Sequence, residues 1–563
     1  MHPRRRGDRT LSVLARARLL FSTLRHLRPS QLAVWVLRRA VQERLDRWAA
    51  QPAEAQPFAH PVSFRFLNRD VSFAAGELDW RPPGVPRLWG YNLHYFQYLD
   101  GGDLEPRVQR DLIAHWIHSN PPGSSPGWEP YALSLRLVSW CRWLLRNAEP
   151  PAPQLLASAV AQARWLQRRP EKHILANHYF ENLKALVFAG AVLPAPDASR
   201  WLRMGRAGLF AQVHEQFLPD GGHYERSPSY HCVLLGGLLD LLELDRAVEG
   251  ALGAPLREAV EQAAIRAMAL LAGIEFPGDC YPLFNDSAFN SAPRPSVLYS
   301  RAQALRLRWT GLAADRVELP CFGVFGWRDA NAGELLLKCG DVGPAYQPGH
   351  THCDMLSFEW YLGGLPFVVD TGVYEYEPGP MRHYVRSTAA HNTVAVEGAE
   401  QSEIWGEFRV ARRARVLRAG IEAVSGGLRF SGEILAFPAL GGGIRHRRVV
   451  ELLRSGAAWN VRIEDELRGK GHAALGSRLL FHPDIEIIPE SDQACLLRLP
   501  HGGVVRLSSL HGGVMQWCTA PYCPGFGVRR DAPQLLVRTE GALPARMGFV
   551  FESVGPIHDP SGS

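Results

Sequence analysis

The sequence lacks the paired cysteines of a disulfide framework or of a zinc ribbon. Its 563 residues contain nine cysteines, an odd number, and four residues separate the closest pair, Cys518 and Cys523. No pair has the two-residue spacing of a redox or zinc-binding motif. We therefore expect a largely reduced protein.

Long hydrophobic runs are also missing. No stretch of 18 uncharged apolar residues occurs, so the sequence predicts no membrane-spanning segment. The apolar stretch 11–21 is interrupted by Arg16 and Arg18 and has no clean cleavage site, which is not typical of a signal peptide. Together these absences favour a cytoplasmic location and leave the periplasm as the alternative.

Positive charge is concentrated at the start of the chain. Residues 1–50 hold twelve arginines against two aspartates and one glutamate, a net charge of +9, and the whole chain carries +6, which leaves −3 for the other 513 residues. We interpret residues 1–50 as a basic amphipathic arm. Such an arm can meet an acidic polymer, a membrane surface or nucleic acid, or it can be a solvated helix face. Because the rest of the chain is not basic, we expect no nucleic-acid partner for it.

The chain is too long for one hydrophobic core, since single cores stop growing near ~250–300 residues. From about 105 to 315, apolar residues recur at the 3–4 spacing of helices, and after 319 short β-like runs are separated by glycine-rich turns. Helices followed by strands predict two domains and not an interleaved α/β sheet. We set a helical domain at 51–318 and a strand domain at 319–563.

The most informative segment is Gly349-His-Thr-His-Cys-Asp354, which is followed by an Asp-Thr-Gly and an Ala-His-Asn-Thr sequence. If two strands and a loop bring His352, Asp370 and His391 together, two imidazoles and a carboxylate suit zinc with one open position. The alternative is that each of the three is a turn or capping residue.

Two further polar clusters lie in the helical part. In Ala176-Asn-His-Tyr-Phe-Glu-Asn182, His178 shares a helix face with Glu181 and Asn182, which indicates a pocket floor, whereas helix capping by Asn177 is the alternative. The turn at 218–231 holds two tyrosines and two histidines. A tyrosine works as a general acid or base when a neighbouring cation lowers its pKa from about 10, but packed rings explain the turn equally well.

Upstream, the segment Trp128-Glu-Pro-Tyr-Ala-Leu-Ser-Leu-Arg136 ends in an arginine that is a candidate for binding an anion. Arg136 can hold a carboxylate or a sulfate with two parallel hydrogen bonds. The equally plain alternative is a salt bridge on a helix surface.

Taken in order, these segments resemble the heparinase II/III-like polysaccharide lyases over roughly residues 85–490. That resemblance implies an α+β multidomain protein in which an incomplete α/α toroid is followed by an antiparallel β-sandwich. Residues 89–96 and 128–136, with the arginine-rich start, look most like a subgroup associated with bacterial surface-polysaccharide gene clusters. An exopolysaccharide is then a better expectation than heparin.

Site residues follow from the resemblance, position by position. It implies that Tyr230 and His350 are catalytic and that His178 is a further active-site histidine. Glu181 would neutralise the substrate carboxylate, with Asn177 or Asn182 able to take that role and Arg136 assisting. The implied metal is a structural zinc ion, with ligands His352, Asp370 and His391.

The expected reaction is β-elimination on a uronic-acid-containing acidic polysaccharide. A base removes the C5 proton, the 4-O group leaves, and the adjacent carboxylate must be neutralised. Two alternatives stay open at this point. One is a catalytically silent polysaccharide-binding or assembly protein; the other is a glycoside hydrolase, for which Asp286 is a spare acid. An ultraviolet-absorbing unsaturated product separates the lyase from both.

Overall fold

The computed structural model describes residues 13–32, 57–147, 149–311, 315–555 and 557. Most of its helices precede most of its strands, so the predicted α+β organisation is confirmed. The described part of the basic arm forms helix α1 (Val13–Leu24), and the rest of the arm lies outside the described residues. Within the described ranges, no helix has the length and apolar character needed to cross a bilayer.

A small hairpin and a series of paired helices form the N-terminal part. Its elements are β1 (Val62–Phe66), β2 (Arg69–Phe73), α2 (Arg87–Tyr95), α3 (Pro106–Ser119), α4 (Pro130–Arg146), α5 (Pro153–Arg168), α6 (Ala176–Val192), α7 (Ala198–Gln216), α8 (Pro228–Ala247), α9 (Ala254–Ile274) and α10 (Pro295–Ala304). Six of these helices, α3, α4, α5, α8, α9 and α10, have proline in the first turn, where its missing N–H costs nothing.

The middle of this helical part is built around α6. Helix α6 packs against α4, α5, α7 and α8, and nearly all of its side chains are buried. A helix surrounded in this way needs apolar residues on every side, which explains the sequence Leu183-Lys-Ala-Leu-Val-Phe-Ala189. The polar residues at its N-terminal end are therefore the exception, and three of them, Asn177, His178 and Glu181, face a cavity.

Antiparallel strands form the C-terminal part. The first sheet contains β3 (Arg316–Leu319), β4 (Val324–Asp329), β5 (Gly333–Lys338), β6 (Phe358–Leu362) and β7 (Leu365–Val368) in sequence order. After it come helix α11 (Pro380–Arg386), β8 (Val394–Val396), β9 (Ile404–Trp405), β10 (Arg409–Val410), β11 (Arg415–Val424), β12 (Gly427–Ala436), β13 (Ile444–Ser455), β14 (Ala458–Arg468), β15 (His472–Leu480), β16 (Glu486–Ser491), β17 (Ala494–Arg498), β18 (Val504–Ser509), β19 (Met515–Tyr522), β20 (Arg530–Ala542) and β21 (Ala545–Ser553). An eight-stranded sheet has the order β11-β12-β13-β14-β21-β18-β17-β16, and a four-stranded sheet has the order β19-β20-β15-β8.

The first sheet joins the two parts because it is buried on both faces. Val324 and Leu336 belong to the helical core, whereas their strand neighbours Phe325, Leu335 and Leu337 belong to the core of the β-sandwich. Side chains alternate across a strand, so consecutive buried apolar residues must serve two cores. This shared sheet fixes the helical and strand domains against each other, and the candidate site lies at their junction.

Candidate active site

A cleft of about 2520 Å³ lies between the helices and the strand domain. His178 and Tyr230 line it from the helical side, and His350, Tyr376 and Phe408 line it from the strand side. The two domains therefore contribute chemistry to one cavity. Cavities of this kind at a domain junction are the usual position of binding sites.

Tyr230 and His350 meet face to face in this cleft. Their ring centroids are 3.8 Å apart with 29° between the planes, and the Tyr230 hydroxyl lies 3.5 Å from that of Tyr376. Tyr230 occupies the first turn of α8, where its backbone N–H donates to the capping Ser227 Oγ. The N-cap therefore fixes the position of the phenol relative to the imidazole.

The pKa of Tyr230 is not lowered. Burial, followed by the neighbouring Tyr376 and the acidic groups Asp286 and Glu225, raises it well above its usual value. In the resting protein Tyr230 is a neutral phenol, which suits a proton donor.

His350 is held between two carboxylates. Its Nδ1 lies 2.9 Å from Asp286 Oδ2, and its Nε2 lies 3.4 Å from Glu225 Oε2. Burial alone would raise the pKa of Asp286, but the charge of Arg382 and hydrogen bonds from the two histidines hold it well below its usual value. Asp286 is thus an ionised acceptor, so His350 must donate through Nδ1. This leaves Nε2 as the nitrogen that accepts a proton.

Asp286 accepts hydrogen bonds from other residues besides His350. It also accepts from His352 Nε2 at 2.8 Å and from Arg382 Nη2 at 2.8 Å, and its side chain is fully buried. A general acid of a hydrolase needs a raised carboxyl pKa, and that of Asp286 is lowered. Asp286 is therefore unsuited to be the general acid of a glycoside hydrolase.

His178 faces the cleft from the first turn of α6. Its Nδ1 lies 3.2 Å from Glu171 Oε1, a contact with ion-pair distance but without the direction of a hydrogen bond, and its ring packs 4.3 Å from that of Tyr131. Burial would lower the pKa of His178, but the charge of Glu171 outweighs it and the pKa is raised. His178 therefore holds a proton more readily than a free imidazole and can bring a positive charge to the cleft.

Glu181 lies one turn further along α6 and also lines the cleft. Its Oε2 is 2.8 Å from Lys184 Nζ, which in turn lies 2.8 Å from Asp240 Oδ2. Burial is the main cause that raises the pKa of Glu181, and Lys184 only partly opposes it. The raised pKa makes this carboxyl group easier to protonate, and a protonated carboxyl group can share its proton with a substrate carboxylate.

The two asparagines of α6 differ in position. Asn177 lines the cleft, does not cap the helix, and donates through Nδ2 to Glu225 Oε1 at 2.9 Å. Asn182 is fully buried away from the cleft, and its amide donates to Glu171 Oε2 at 3.1 Å. Its expected contact with substrate is therefore corrected: Asn182 orients Glu171, the partner of His178.

Arg136 is also corrected. It is fully buried between helices, where its Nε donates to Gln162 Oε1 at 3.0 Å, its Nη1 donates to the His94 carbonyl at 3.1 Å, and its guanidinium lies 3.8 Å from the Trp116 ring centroid. It does not line the cleft. Arg136 therefore holds helices together and cannot reach a substrate anion.

The three expected metal ligands lie in one buried cluster below the His350 loop. The ring centroids of His352 and His391 are 5.5 Å apart, and His391 Nδ1 lies 2.8 Å from Asp370 Oδ2. His352 Nδ1 and His391 Nε2 are buried without a hydrogen-bond partner, and burial lowers the pKa of His352 to about 4. Imidazole nitrogens without a hydrogen-bond partner fit zinc. Across the described ranges, however, no three His, Cys, Asp or Glu side chains are arranged to hold a metal ion.

Sequence reasoning missed four cleft or support residues, namely Glu171, Glu225, Tyr376 and Arg382, and it considered Asp286 only as the acid of a hydrolase. Glu225 lies in the turn at 218–231, so its proximity to Tyr230 could have been inferred from the sequence. Asp286 and Arg382 lie 64 residues before and 32 residues after His350, and only the fold brings them together.

Comparisons with known proteins agree with this architecture. The family model described as "Heparinase II/III-like, C-terminal" matches residues 313–549, and "Heparinase II/III N-terminus" matches residues 149–304. A heparin-sulfate lyase of Pedobacter heparinus is 25% identical over 344 residues, which are 55% of this chain and 50% of the relative. A heparin-sulfate lyase of Bacteroides thetaiotaomicron is 24% identical over 331 residues, 51% of this chain and 47% of the relative. The chain thus spans about half the length of these curated relatives.

Solved structures show the same fold. A crystal structure of heparinase III superposes with a TM-score of 0.68 at 17% identity, covering 87% of this chain and 80% of that one. A mutant heparan sulfate lyase from Pedobacter heparinus gives 0.61 at 19% identity, covering 92% and 83%. The predicted combination of helical toroid and β-sandwich is confirmed by these neighbours.

Proposed function

We propose that this chain, which belongs to the heparinase II/III-like family, is a polysaccharide lyase that cleaves a uronic-acid-containing acidic polysaccharide by β-elimination. The observation that carries the proposal is the stacked pair of Tyr230 and His350 at the domain junction, with His178 in the same cleft. The heparin-sulfate lyases among its relatives support it. We expect a bacterial exopolysaccharide as substrate, because residues 89–96 and 128–136 resemble those of the surface-polysaccharide subgroup.

In the proposed reaction the C5–H bond and the C4–O4 bond break while a C4–C5 double bond forms. Tyr230, whose raised pKa keeps it protonated, gives its proton to the departing O4. His350 takes the C5 proton at Nε2 when that proton lies on its side of the sugar. Asp286 and Glu225 then flank the imidazolium and stabilise it. For the epimer in which proton and leaving group share a face, Tyr230 would first pass its own proton to the neighbouring His350, then take the C5 proton as a phenolate and pass that proton to O4.

Removal of a C5 proton beside a charged carboxylate requires that this charge be offset. His178 and Glu181 suit this role, because the raised pKa of each favours its protonated form. The amide of Asn177 lies at the same end of the cleft and can donate a further hydrogen bond. A bound substrate would displace water from the cleft and so strengthen all three contacts.

We also propose a structural zinc ion held by His352 and His391, with Asp370 as the carboxylate of the site. When bound, it would tie the loop that carries His350 to the β-sandwich. The unpartnered nitrogens of the two histidines support this proposal. The proton transfers above use only residues of the chain.

The test of the lyase is a panel of uronate polymers incubated with the purified full chain and with Tyr230→Phe. We expect new ultraviolet absorbance from an unsaturated uronate with the parent protein and very little with the variant. New reducing ends without absorbance would indicate hydrolysis and overturn the proposal. Binding of a polymer with no cleavage at all, under conditions where the fold is intact, would favour the silent binding protein.

A further inference from the structure

Helix α1 exposes apolar side chains to solvent on the face opposite to the one that packs on the rest of the protein. Val13 and Leu14 are 84% and 83% exposed, and Phe21 is 73% exposed. Single exposed apolar residues are ordinary on a protein surface, but three large ones on one short helix leave a contiguous apolar stripe in water. This stripe is the feature from which the inference starts.

The helix has three faces, which follow from its geometry of 100° per residue. Val13, Leu14, Ala17, Leu20 and Phe21 fall within an arc of about 120° and are all exposed. The opposite arc contains Ala15, Leu19 and Ser22, which are partly or fully buried against the body. Leu24 also falls within the first arc and is half-buried, so the exposed stripe ends near Phe21. Within the helix, exposed Arg16 stands on one flank of the stripe and exposed Arg18 on the other, and exposed Arg25 follows directly after the helix ends. The apolar stripe therefore has positive charge on both sides.

The segment is fastened to both domains. Trp405 Nε1 donates to Thr23 Oγ1 at 3.1 Å, and Gln31 Nε2 donates to the carbonyl of His173 at 3.2 Å. Arg28 forms an ion pair with Glu215, and its guanidinium lies 3.9 Å from the ring centroid of Tyr346. These contacts hold the buried face of α1 on the body, so the stripe and its arginines point outward together.

The charge of this segment is of one sign. Residues 13–32 contain four arginines and neither aspartate nor glutamate. An apolar stripe with arginines along its edges is the pattern of a helix that lies in a membrane interface, where the stripe enters the acyl region and the arginine side chains reach up to anionic headgroups. We propose that α1 binds the protein to the surface of an anionic lipid bilayer.

The other possible occupants explain the surface less well. An acidic polysaccharide would pair with the arginines but leave the stripe of Val13, Leu14 and Phe21 in water. A second copy of the chain would cover the stripe but would bring the arginine rows of two helices close together, which is unfavourable. The bilayer satisfies the apolar and the charged groups at once. Because His173 also lines the cleft, binding there would place one rim of the cleft beside the membrane.

The experiment measures co-sedimentation of the full chain with vesicles of phosphatidylcholine alone or of phosphatidylcholine and phosphatidylglycerol in equal parts. One variant, Val13→Ser/Leu14→Ser/Phe21→Ser, removes the stripe and keeps the arginines. The other, Arg16→Gln/Arg18→Gln/Arg25→Gln, keeps the stripe. A matched control, Val297→Ser/Val514→Ser, removes two apolar side chains of 48% and 47% exposure from other parts of the surface.

We expect the parent to bind the mixed vesicles and not the neutral ones. Each arginine near an anionic surface contributes about fivefold in affinity, so the arginine variant should bind at least tenfold more weakly. The stripe variant should also lose at least tenfold, and the control should bind like the parent. Melting temperatures within a few degrees of the parent would show that all variants are folded.

Three outcomes would overturn the proposal. The first is a parent protein that does not bind mixed vesicles. The second is binding that the stripe variant retains and the arginine variant loses, which would indicate a polyanion contact. The third is a parent dimer that the stripe variant dissociates without any vesicle binding, which would assign the face to a second copy. Turnover of a soluble substrate is independent of each result, so this test and that of the lyase fail separately.

Discussion

The imidazole of His350 lies face to face with the phenol of Tyr230, with ring centroids 3.8 Å apart. One residue comes from the first turn of a helix and the other from a loop of the strand domain, so the pair exists only while the two domains keep their relative position. The sheet that is buried on both faces provides that constraint. The pair proposed to be catalytic therefore depends on the packing of the two domains.

Tyr230→Phe should abolish most turnover and leave the fold unchanged. The nearest partner of its hydroxyl is that of Tyr376 at 3.5 Å, a distance at which little hydrogen-bond energy is lost. The loss of one acid–base group should lower kcat by about 10²–10⁴-fold with KM nearly unchanged. Steady-state kinetics and a melting curve check this. Tyr376→Phe is the matched control and should lower kcat much less; near-normal turnover in Tyr230→Phe would mean that Tyr224 or His350 is the essential residue.

Asp286→Asn should lower both the turnover rate and the stability. The carboxylate accepts from His350 Nδ1 and so fixes which ring nitrogen carries the proton, whereas an amide can present either a donor or an acceptor, so kcat should fall with KM nearly unchanged. Stability should also fall, by about 3–5 kcal/mol, because Arg382 is left buried without its partner. Steady-state kinetics and denaturant unfolding check this. If the protein is destabilised but kcat per folded molecule is unchanged, Asp286 has a structural role only.

The stability of the protein should fall above neutral pH through His178. Its pKa is raised in the folded state, where Glu171 outweighs burial, so its contribution is fully present below the unfolded value of about 6.5 and is lost as pH rises through the folded value. Glu171→Gln removes the cause of the raised pKa, so the decline should begin at lower pH. Melting temperatures of parent and variant at a series of pH values test this. Superimposable pH dependences would show that Glu171 does not set the charge of His178.

The protein should contain one tightly bound divalent metal ion, zinc, per chain. Elemental analysis of protein purified without added metal measures this directly. Because metal binding is coupled to folding, His352→Ala should lower the melting temperature more than His350→Ala does. A chelator should destabilise the parent and have little effect on His352→Ala. Fully folded protein without metal would contradict the proposal.

Much of this architecture was accessible from the sequence. The spacing of apolar residues changes near residue 319 from about 3.6, typical of helices, to two, typical of strands, and the first sheet begins there. Over long segments these two spacings are easy to distinguish. His178, Tyr230 and His350 occur in a recognisable order, and all three line the cleft. Their catalytic roles stay predictions, as does the cytoplasmic location.

Other features depend on contacts that spacing does not encode. The helical spacing of Arg136 and Asn182 is the one expected of residues that share a face with the other site residues. Their helices are surrounded by other helices, however, so their side chains enter the core and not the cleft. Asp286 reaches His350 across 64 residues of chain. A sequence shows which residues share a face, whereas the packing of neighbouring helices decides whether that face meets water.

The basic arm should be dispensable for chemistry although part of it is fastened to the body. Deletion of residues 1–50 removes α1 and Arg28, whose ion pair and ring contact with Glu215 and Tyr346 are partly exposed. Arg28→Ala, the matched point variant, should cost about 1 kcal/mol, and the deletion should cost somewhat more. Turnover of a short soluble oligosaccharide should survive in both, because neither Arg28 nor α1 lines the cleft. A truncated protein that melts cooperatively but has no turnover would show that the arm completes the active site.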